Sequence, residues 1–570
     1  MANMRLILIV LLVFMGYSLW VQWQQDYHPI TASVTATQDE PALTSTAADV
    51  PTFDTPAVRT PTAESTADLP SIPRSAEAEV ASEGASVGAQ SPRITVLTDV
   101  LKVEIDLVGG TIVNAWLLDY PVQVEFPEIK VQLFNSQSNR LYIAQSGLLS
   151  SDQSVPTHND RYRAAQMNYA LRAGEDEIRI PLTWESEGGI KVTKTIIFKR
   201  GAYDIEIRHY LTNNSSAEWQ GSGYMQLQRA GIPSSGMSFT DPSTFSFVGA
   251  AMYTPEDKLE KLHFEDFQSE PTKITTNEGW IAMIQHYFFA AWIPHPEQDV
   301  LYSTAVVDPN GWSRYIVRAV APSVSVAVNT THEFVDQLYV GPKLQDKLDD
   351  VAPGLSLTVD YGIFTVMSKP LFWLLSFFHD LVNNWGFAII LLTLSVKLAF
   401  FKLTEAQYKS MARMRKLQPR IEQMKARYGE DKQRMSQEMM KLYKKEKANP
   451  LGGCLPMLVQ FPVFIALYWV LLESVELRQA PFMLWIQNLS VRDPYFVLPV
   501  LNGIFMVLTQ RLSPTPGMDP MQRKIMQAMP IAFSVMFAFF PAGLVLYWAT
   551  NAGLSLLQQW YITRKITAMD

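Results

Sequence analysis

The sequence predicts two unlike parts: an all-α membrane core of five apolar helices preceded by an N-terminal anchor helix, and an all-β sandwich domain held outside the membrane between them. Three observations lead there. Five apolar stretches crowd the last third of the 570-residue chain, period-two alternation fills residues 93–350, and the basic loops of the apolar region lie on one side. Composition separates the parts too. Residues 26–350 hold 23 Lys and Arg against 42 Asp and Glu, a net charge of −19 (23 minus 42), whereas the whole chain carries −8, so the remainder is basic.

Taken in order, residues 4–23 (MRLILIVLLVFMGYSLWVQW) set Arg5 before an apolar run and Trp20 and Trp23 at its far edge. This fits an uncleaved anchor, residues 1–23, with a cytoplasmic N-terminus; a cleaved signal peptide is the competing reading. Residues 24–92 are mostly Thr, Ala, Ser, Pro and Glu, with too little apolar surface to fold, and read as a tether. From 93 to 350, runs such as ITVLTDVLKVEIDLVG and YDIEIRHYLTN alternate apolar with polar residues between turn signals at Gly109-Gly110, Gly188-Gly189 and Asn213-Asn214. Many short strands imply a large antiparallel sandwich. Trp184, Trp219 and Trp292 are expected in its core rather than as a sugar platform, and no spacing of carboxylates singles out an acid/base pair.

Residues 351–385 read as a linker and an interfacial amphipathic helix. Leu371, Leu374, Leu375, Phe378 and Leu381 recur at helical spacing, opposite Ser376, His379, Asp380 and Asn383. The core follows, residues 386–570, with apolar stretches at 386–403, 455–472, 495–510, 525–540 and 544–562. Several are shorter than the roughly 20 residues usual for a span, which a thinned bilayer accommodates. With the anchor they make six. Loop 404–453 holds 13 Lys and Arg, whereas the opposite loop, 473–493, has only Arg478 and Arg492. Both termini are therefore expected in the cytoplasm and residues 24–385 on the far side.

The first stretch, GFAIILLTLSVKLAFFKL, carries Lys397. Eleven residues of helix before it place its backbone roughly 16 Å into a hydrocarbon layer about 30 Å thick, where an ammonium group costs on the order of 3 kcal/mol. Lys397 either faces a bundle interior, with Thr393 one turn earlier on the same face, or ends the helix and snorkels to the surface. In the last stretch Tyr547, Thr550, Asn551 and Gln558 fall on one side; Gln460 adds an amide in the second, and Asn502 and Thr509 recur in the third. Each alone is an ordinary helix-to-helix hydrogen bond; with Thr393 and Lys397 they form a candidate wet cavity.

The basic loop reads as a helical hairpin, 404–447, in which Met414, Leu417, Ile421, Met424 and Tyr428 form a seam, Pro419 a kink, and Met435, Met439 and Leu442 the returning face. Thioethers suit surfaces that accept varied apolar partners, and Met411, Met414, Met424, Met435 and Met439 are the candidates for such contact. Cys454 is the sole cysteine, which excludes an internal disulfide, and no phosphate-binding or zinc-protease motif occurs, so no cofactor or metal is expected.

Three blocks, LTEAQYKSMARMRKLQPRIEQMKARYGEDKQRMSQEMMKLY, NPLGGCLPMLVQFPVFIALYWVLLESVELRQAPF, and DPMQRKIMQAMP followed by FPAGLVLYW, resemble the YidC/Oxa/Albino family of membrane protein insertases. The resemblance runs from about residue 369 to 562; the anchor, tether and sandwich match the Gram-negative form in layout. It implies a non-enzymatic insertase and chaperone whose five-helix core encloses a hydrophilic groove open to cytoplasm and lipid, with a periplasmic β-supersandwich. It also implies nascent membrane proteins, the Sec translocon, the ribosome and membrane lipids as partners. Thr393, Gln460, Tyr547 and Trp548 fall at positions resembling groove-lining or client-contacting ones, and Asn551 joins them by spacing. Lys397 stands where the family usually has an arginine, keeping the charge without the bidentate fork. Lys402 stands where it has a proline, which removes the residue expected to kink the helix. A transporter or a membrane-anchored sugar-recognition module are the competing function classes; no internal repeat favours the first.

Overall fold

The computed structural model describes residues 91–151, 153–231, 246–296, 298–307, 313–428, 431–446, 455–512 and 520–568. The expected anchor, all but the last two residues of the tether, and Cys454 lie outside the described residues.

The sandwich consists of an eleven-stranded and a nine-stranded sheet, as the alternation foretold. Strand Asp204–Asn213 shows how the period works: Ile205, Ile207, His209, Leu211 and Asn213 are buried while the residues between them stay half-exposed. It pairs antiparallel with Ile190–Lys199 and Thr330–Pro342. One pair departs from the antiparallel pattern, Arg93–Leu97 with Asn168–Ala170, which run parallel. Trp219 and Trp292 are fully buried, and Trp184 packs half-buried against the core.

Polar ties cross that core where apolar packing alone would let the sheets slide. The Trp292 indole N–H donates to Gln226 O at 3.0 Å and the Tyr142 hydroxyl to Met283 O at 3.0 Å. Buried Lys194 donates through Nζ to Gly109 O at 2.9 Å and Ser146 O at 3.2 Å. Gly109 is required there: φ is +71°, and a Cβ would lie 2.4 Å from His158 O.

Nine helices are described: α1 (Gln345–Val351), α2 (Thr365–Val382), α3 (Trp385–Ala399), α4 (Phe401–Tyr428), α5 (Lys432–Lys445), α6 (Leu455–Glu473), α7 (Val497–Leu512), α8 (Pro520–Phe537) and α9 (Ala542–Ala568). The stretch 386–403 is two helices rather than one continuous helix. They meet at Phe400 with a bend of 63°. Lys402 in place of proline does not keep the chain straight. The backbone leaves helical geometry at Phe400 (φ −91°, ψ 9°), and the Thr404 hydroxyl donates back to Phe400 O at 3.0 Å, a bond that bends helices. Among the described residues no single helix is long and apolar enough to cross a membrane; the bent pair, Trp385–Ala399 with Phe401–Ser410, reaches that length and apolar composition only when its two helices are taken together. At Pro419, where a kink was expected, α4 stays helical as far as Tyr428.

The sandwich meets the helices through part-buried polar contacts around the end of α6. The Ser246 hydroxyl donates to Glu473 Oε1 at 2.8 Å, Gln345 N–H to Glu476 Oε1 at 3.2 Å, and the Tyr361 hydroxyl to Gln345 Oε1 at 2.6 Å. Lys343 is buried beside them. Burial lowers it to about 8, and the nearby Glu473 carboxylate resists that fall.

His158 gives the sandwich a measurable pH signature. Its backbone N–H donates to the Tyr224 hydroxyl at 2.9 Å, and its Nδ1 lies 2.7 Å from the same oxygen. Burial first, then the Arg318 and Lys194 charges, lowers it to about 4. Because that lies below the ordinary histidine value, the unfolded chain binds more protons between the two, and stability present above the ordinary value is lost as pH falls through about 4. Denaturant unfolding of the full chain across this window should show a shallower acid loss for His158→Gln than for the parent, by up to about 3 kcal/mol.

Candidate functional site

The site begins at the turn between α2 and α3. Asn383, in the left-handed region, ends α2, and the Asn384 side chain caps α3 by accepting from Phe387 N–H at 3.1 Å. Asn384 Nδ2 also donates to Phe482 O at 2.9 Å, and Gly386 leaves room for the Phe482 ring, which a Cβ would meet at 2.0 Å. The loop after α6 therefore grips the start of α3. From there α3 buries Ala388, Ile389 and Leu392, and the same helix carries Lys397 inward, 8% exposed.

Lys397 Nζ donates to Ser555 Oγ at 2.8 Å, and Ser555 in turn donates to Asn551 O at 2.7 Å. The Tyr408 hydroxyl, beyond the bend in α4, donates to Ser555 O at 3.3 Å. Gln460 Nε2 donates to Asn551 Oδ1 at 3.1 Å, and the Tyr547 hydroxyl lies within hydrogen-bonding reach of Gln460. One polar chain thus joins α3, α4, α6 and α9 inside an apolar bundle. Among the described residues no carboxylate pairs with Lys397. A cation in these surroundings attracts anionic groups strongly, because little dielectric screening separates them.

Of the residues singled out from sequence, Lys397, Gln460, Asn551 and Tyr547 come together. Thr393 does not join them: it is fully buried, and its hydroxyl donates to Ile389 O at 2.7 Å. Trp548 is 9% exposed, its ring centroid 3.8 Å from that of Phe537 and 5.5 Å from those of Phe464 and Phe540. Asn502 is buried on α7 and donates to Met506 Sδ at 3.7 Å, while Thr550 and Gln558 are half-buried on α9. Ser555 and Tyr408 were missed. Ser555 continues the row Tyr547, Asn551 at four-residue spacing, a signal present in the sequence; Tyr408 carries none, since only the bend brings it back to α9.

In the hairpin, α4 and α5 pack through Leu417 and Ile421 against Met439, Leu442 and Tyr443, with Arg420 paired to Glu446 at 2.6 Å. Met424 and Met435 are half-buried like Met439, whereas Met440, not singled out from sequence, is 52% exposed. Met411 and Met414 lie on α4, but their side chains fall outside those described.

Residues 93–374 match the family model described as the YidC periplasmic domain, and residues 377–569 match that described as 60Kd inner membrane protein. The chain is 45% identical over 572 residues to a Methylococcus capsulatus protein and 46% identical over 572 residues to one from Nitrosococcus oceani. Both are named Membrane protein insertase YidC, and each alignment covers 99% of this chain and 99% of the relative. Among solved structures, an active YidC insertase with its first transmembrane domain resolved aligns at TM-score 0.39 and 20% identity, covering 83% of this chain and 93% of that one.

Removing the acceptor under Lys397 should register as lost stability. Ser555→Ala leaves the ammonium one partner short and is expected to cost about 1.5–3 kcal/mol, read as a lower unfolding midpoint in detergent, while Ser555→Thr keeps the hydroxyl and the midpoint.

Proposed function

Because the chain belongs to the YidC membrane protein insertase family of the bacterial inner membrane, we propose that its helical core moves short polar segments of client proteins part-way across the bilayer and releases their apolar helices into lipid. The observation that carries this reading is Lys397, a cation among apolar helices, held by a serine hydroxyl and by no carboxylate among the described residues. In the proposal the polar side chains of α3, α4, α6 and α9 line a hydrophilic groove open to the cytoplasm, and Lys397 draws acidic residues in a client's extracytoplasmic segment toward it. Lysine supplies charge without a planar fork, so the attraction needs no bidentate geometry.

The methionine-bearing hairpin receives an emerging apolar segment; Met411, Met414, Met424, Met435 and Met439 make that contact. The client helix then leaves sideways, driven by its own burial at about 25 cal/mol per Å². No nucleotide is consumed and no bond is made, so the protein acts as an insertase and chaperone rather than an enzyme. Six spans with both termini in the cytoplasm, and work alone or beside the Sec translocon, complete the reading. Ribosomes and lipid headgroups would meet the basic cytoplasmic loops.

Replacing Lys397 tests it. In cells depleted of the native protein, Lys397→Arg should support insertion and Lys397→Glu should not. Lys397→Ala should lower insertion on the order of tenfold, the factor that about 1.4 kcal/mol of lost attraction gives. Equal growth with all three variants would remove the residue from the mechanism. Crosslinking from positions 393, 397, 460 and 548 to a nascent membrane protein on stalled ribosomes maps the path directly.

A further inference from the structure

Strands Thr111–Gln123 and Phe126–Phe134 form a ribbon that runs past the edge of the sandwich. Its pairing shifts register between Leu117 and Pro121 and again between Pro121 and Gln123, and such irregularities bend a ribbon out of its sheet. Tyr120 is the last side chain moored to the sandwich, edge-on to Phe288 at 5.4 Å. Beyond it Val122, Val124, Phe126 and Ile129 are 48%, 37%, 50% and 54% exposed. Four exposed apolar side chains within eight residues crowd one tip, which marks a contact surface rather than a core.

The position of the tip identifies what it meets. Pro121 O accepts from Arg478 NH2 at 2.8 Å and from Gln479 Nε2 at 2.9 Å, and the same Gln479 nitrogen donates to Val122 O at 3.2 Å. Arg478 and Gln479 lie just past Glu473, the end of α6, in the loop that also grips Asn384 between α2 and α3. That loop braces both the ribbon and α2, whose Trp373, Phe377 and Leu381 fall one turn apart and are 67%, 52% and 69% exposed. With α6 taken as a membrane span, as the proposed function has it, the tip stands level with that helix's outer end. Glu125 and Glu128 flank the apolar residues, so the attraction is not to anionic headgroups.

We propose that the ribbon tip, residues 122–129, dips its apolar side chains into the outer leaflet beside the α6–α7 loop, a lipid-facing foot that fixes the sandwich against the membrane surface.

The full chain carrying Cys454→Ser, with a single environment-sensitive fluorophore on Phe126→Cys or Ile129→Cys, tests this in vesicles of phosphatidylethanolamine and phosphatidylglycerol doped with nitroxide-labelled lipid. Trp373→Cys reports that the protein is reconstituted. Val328→Cys is the control: it is 39% exposed and sits beside the Thr330 end of strand Thr330–Pro342, roughly 40 Å from the end that meets the helices. The expected result is loss of emission to the lipid quencher at 126 and 129 and none at 328. Quenching at 126 and 129 no greater than at 328 overturns the proposal. So does an apolar emission shift there that lipid quencher leaves untouched, which would mean that protein covers the tip. Neither outcome bears on the Lys397 variants, so this inference and the insertase reading fail separately.

Discussion

An ammonium group inside a helical bundle constrains everything around it. Lys397 has no carboxylate partner among the described residues, so its hydrogens must be satisfied by neutral oxygens, and Ser555 Oγ supplies one. That serine is in turn fixed by Asn551 O, and Asn551 by Gln460. Each bond joins a different pair of elements or stiffens one, so α3, α6 and α9 cannot move independently without leaving a buried polar group unmatched. A carboxylate in the bundle would have neutralised the site. A hydroxyl leaves its field available to an outside anion.

The bend at Phe400 belongs to the same constraint. Were α3 and α4 one straight helix, Tyr408 would lie more than two turns beyond Lys397 and could not return to Ser555. The 63° change of direction folds it back over α9. Family resemblance put a proline near this point, and its replacement by Lys402 put the kink there in doubt. Here the break falls at Phe400 without a proline, and the Thr404 hydroxyl and N–H both donate to the Phe400 carbonyl just past it.

The sandwich is joined to this bundle through a junction of buried and half-buried polar groups, Ser246, Lys343, Gln345, Tyr361, Glu473 and Glu476, most of them tied by hydrogen bonds that cross from one part to the other. Glu473 and Glu476 each have one carboxylate oxygen engaged and the other, Oε2, buried without a hydrogen-bond partner. The two parts share a defined geometry, which the loop after α6 extends to α3 on one side and to the Pro121 ribbon on the other.

The division into an acidic strand-rich part and a basic helical part was legible in the order of residues, because period-two alternation and apolar length are local properties that each segment carries alone. That order also marked Lys397 and the Tyr547, Asn551, Gln460 amide and phenol set, since polar residues in apolar helices are costly wherever they sit. Which of them meet depends on how the helices pack. Thr393 looked equivalent to Gln460 along the chain, yet its hydroxyl turns to its own helix; Trp548, marked by resemblance, is packed among three phenylalanine rings. Tyr408 enters only when a bend returns it to α9, and Ser555, although it continues the Tyr547 and Asn551 row, meets Lys397 only through a helix crossing. Hydrogen bonds are short-ranged and directional, so contacts between residues some 150 positions apart in the chain are set by how helices cross, which no periodicity within one helix records.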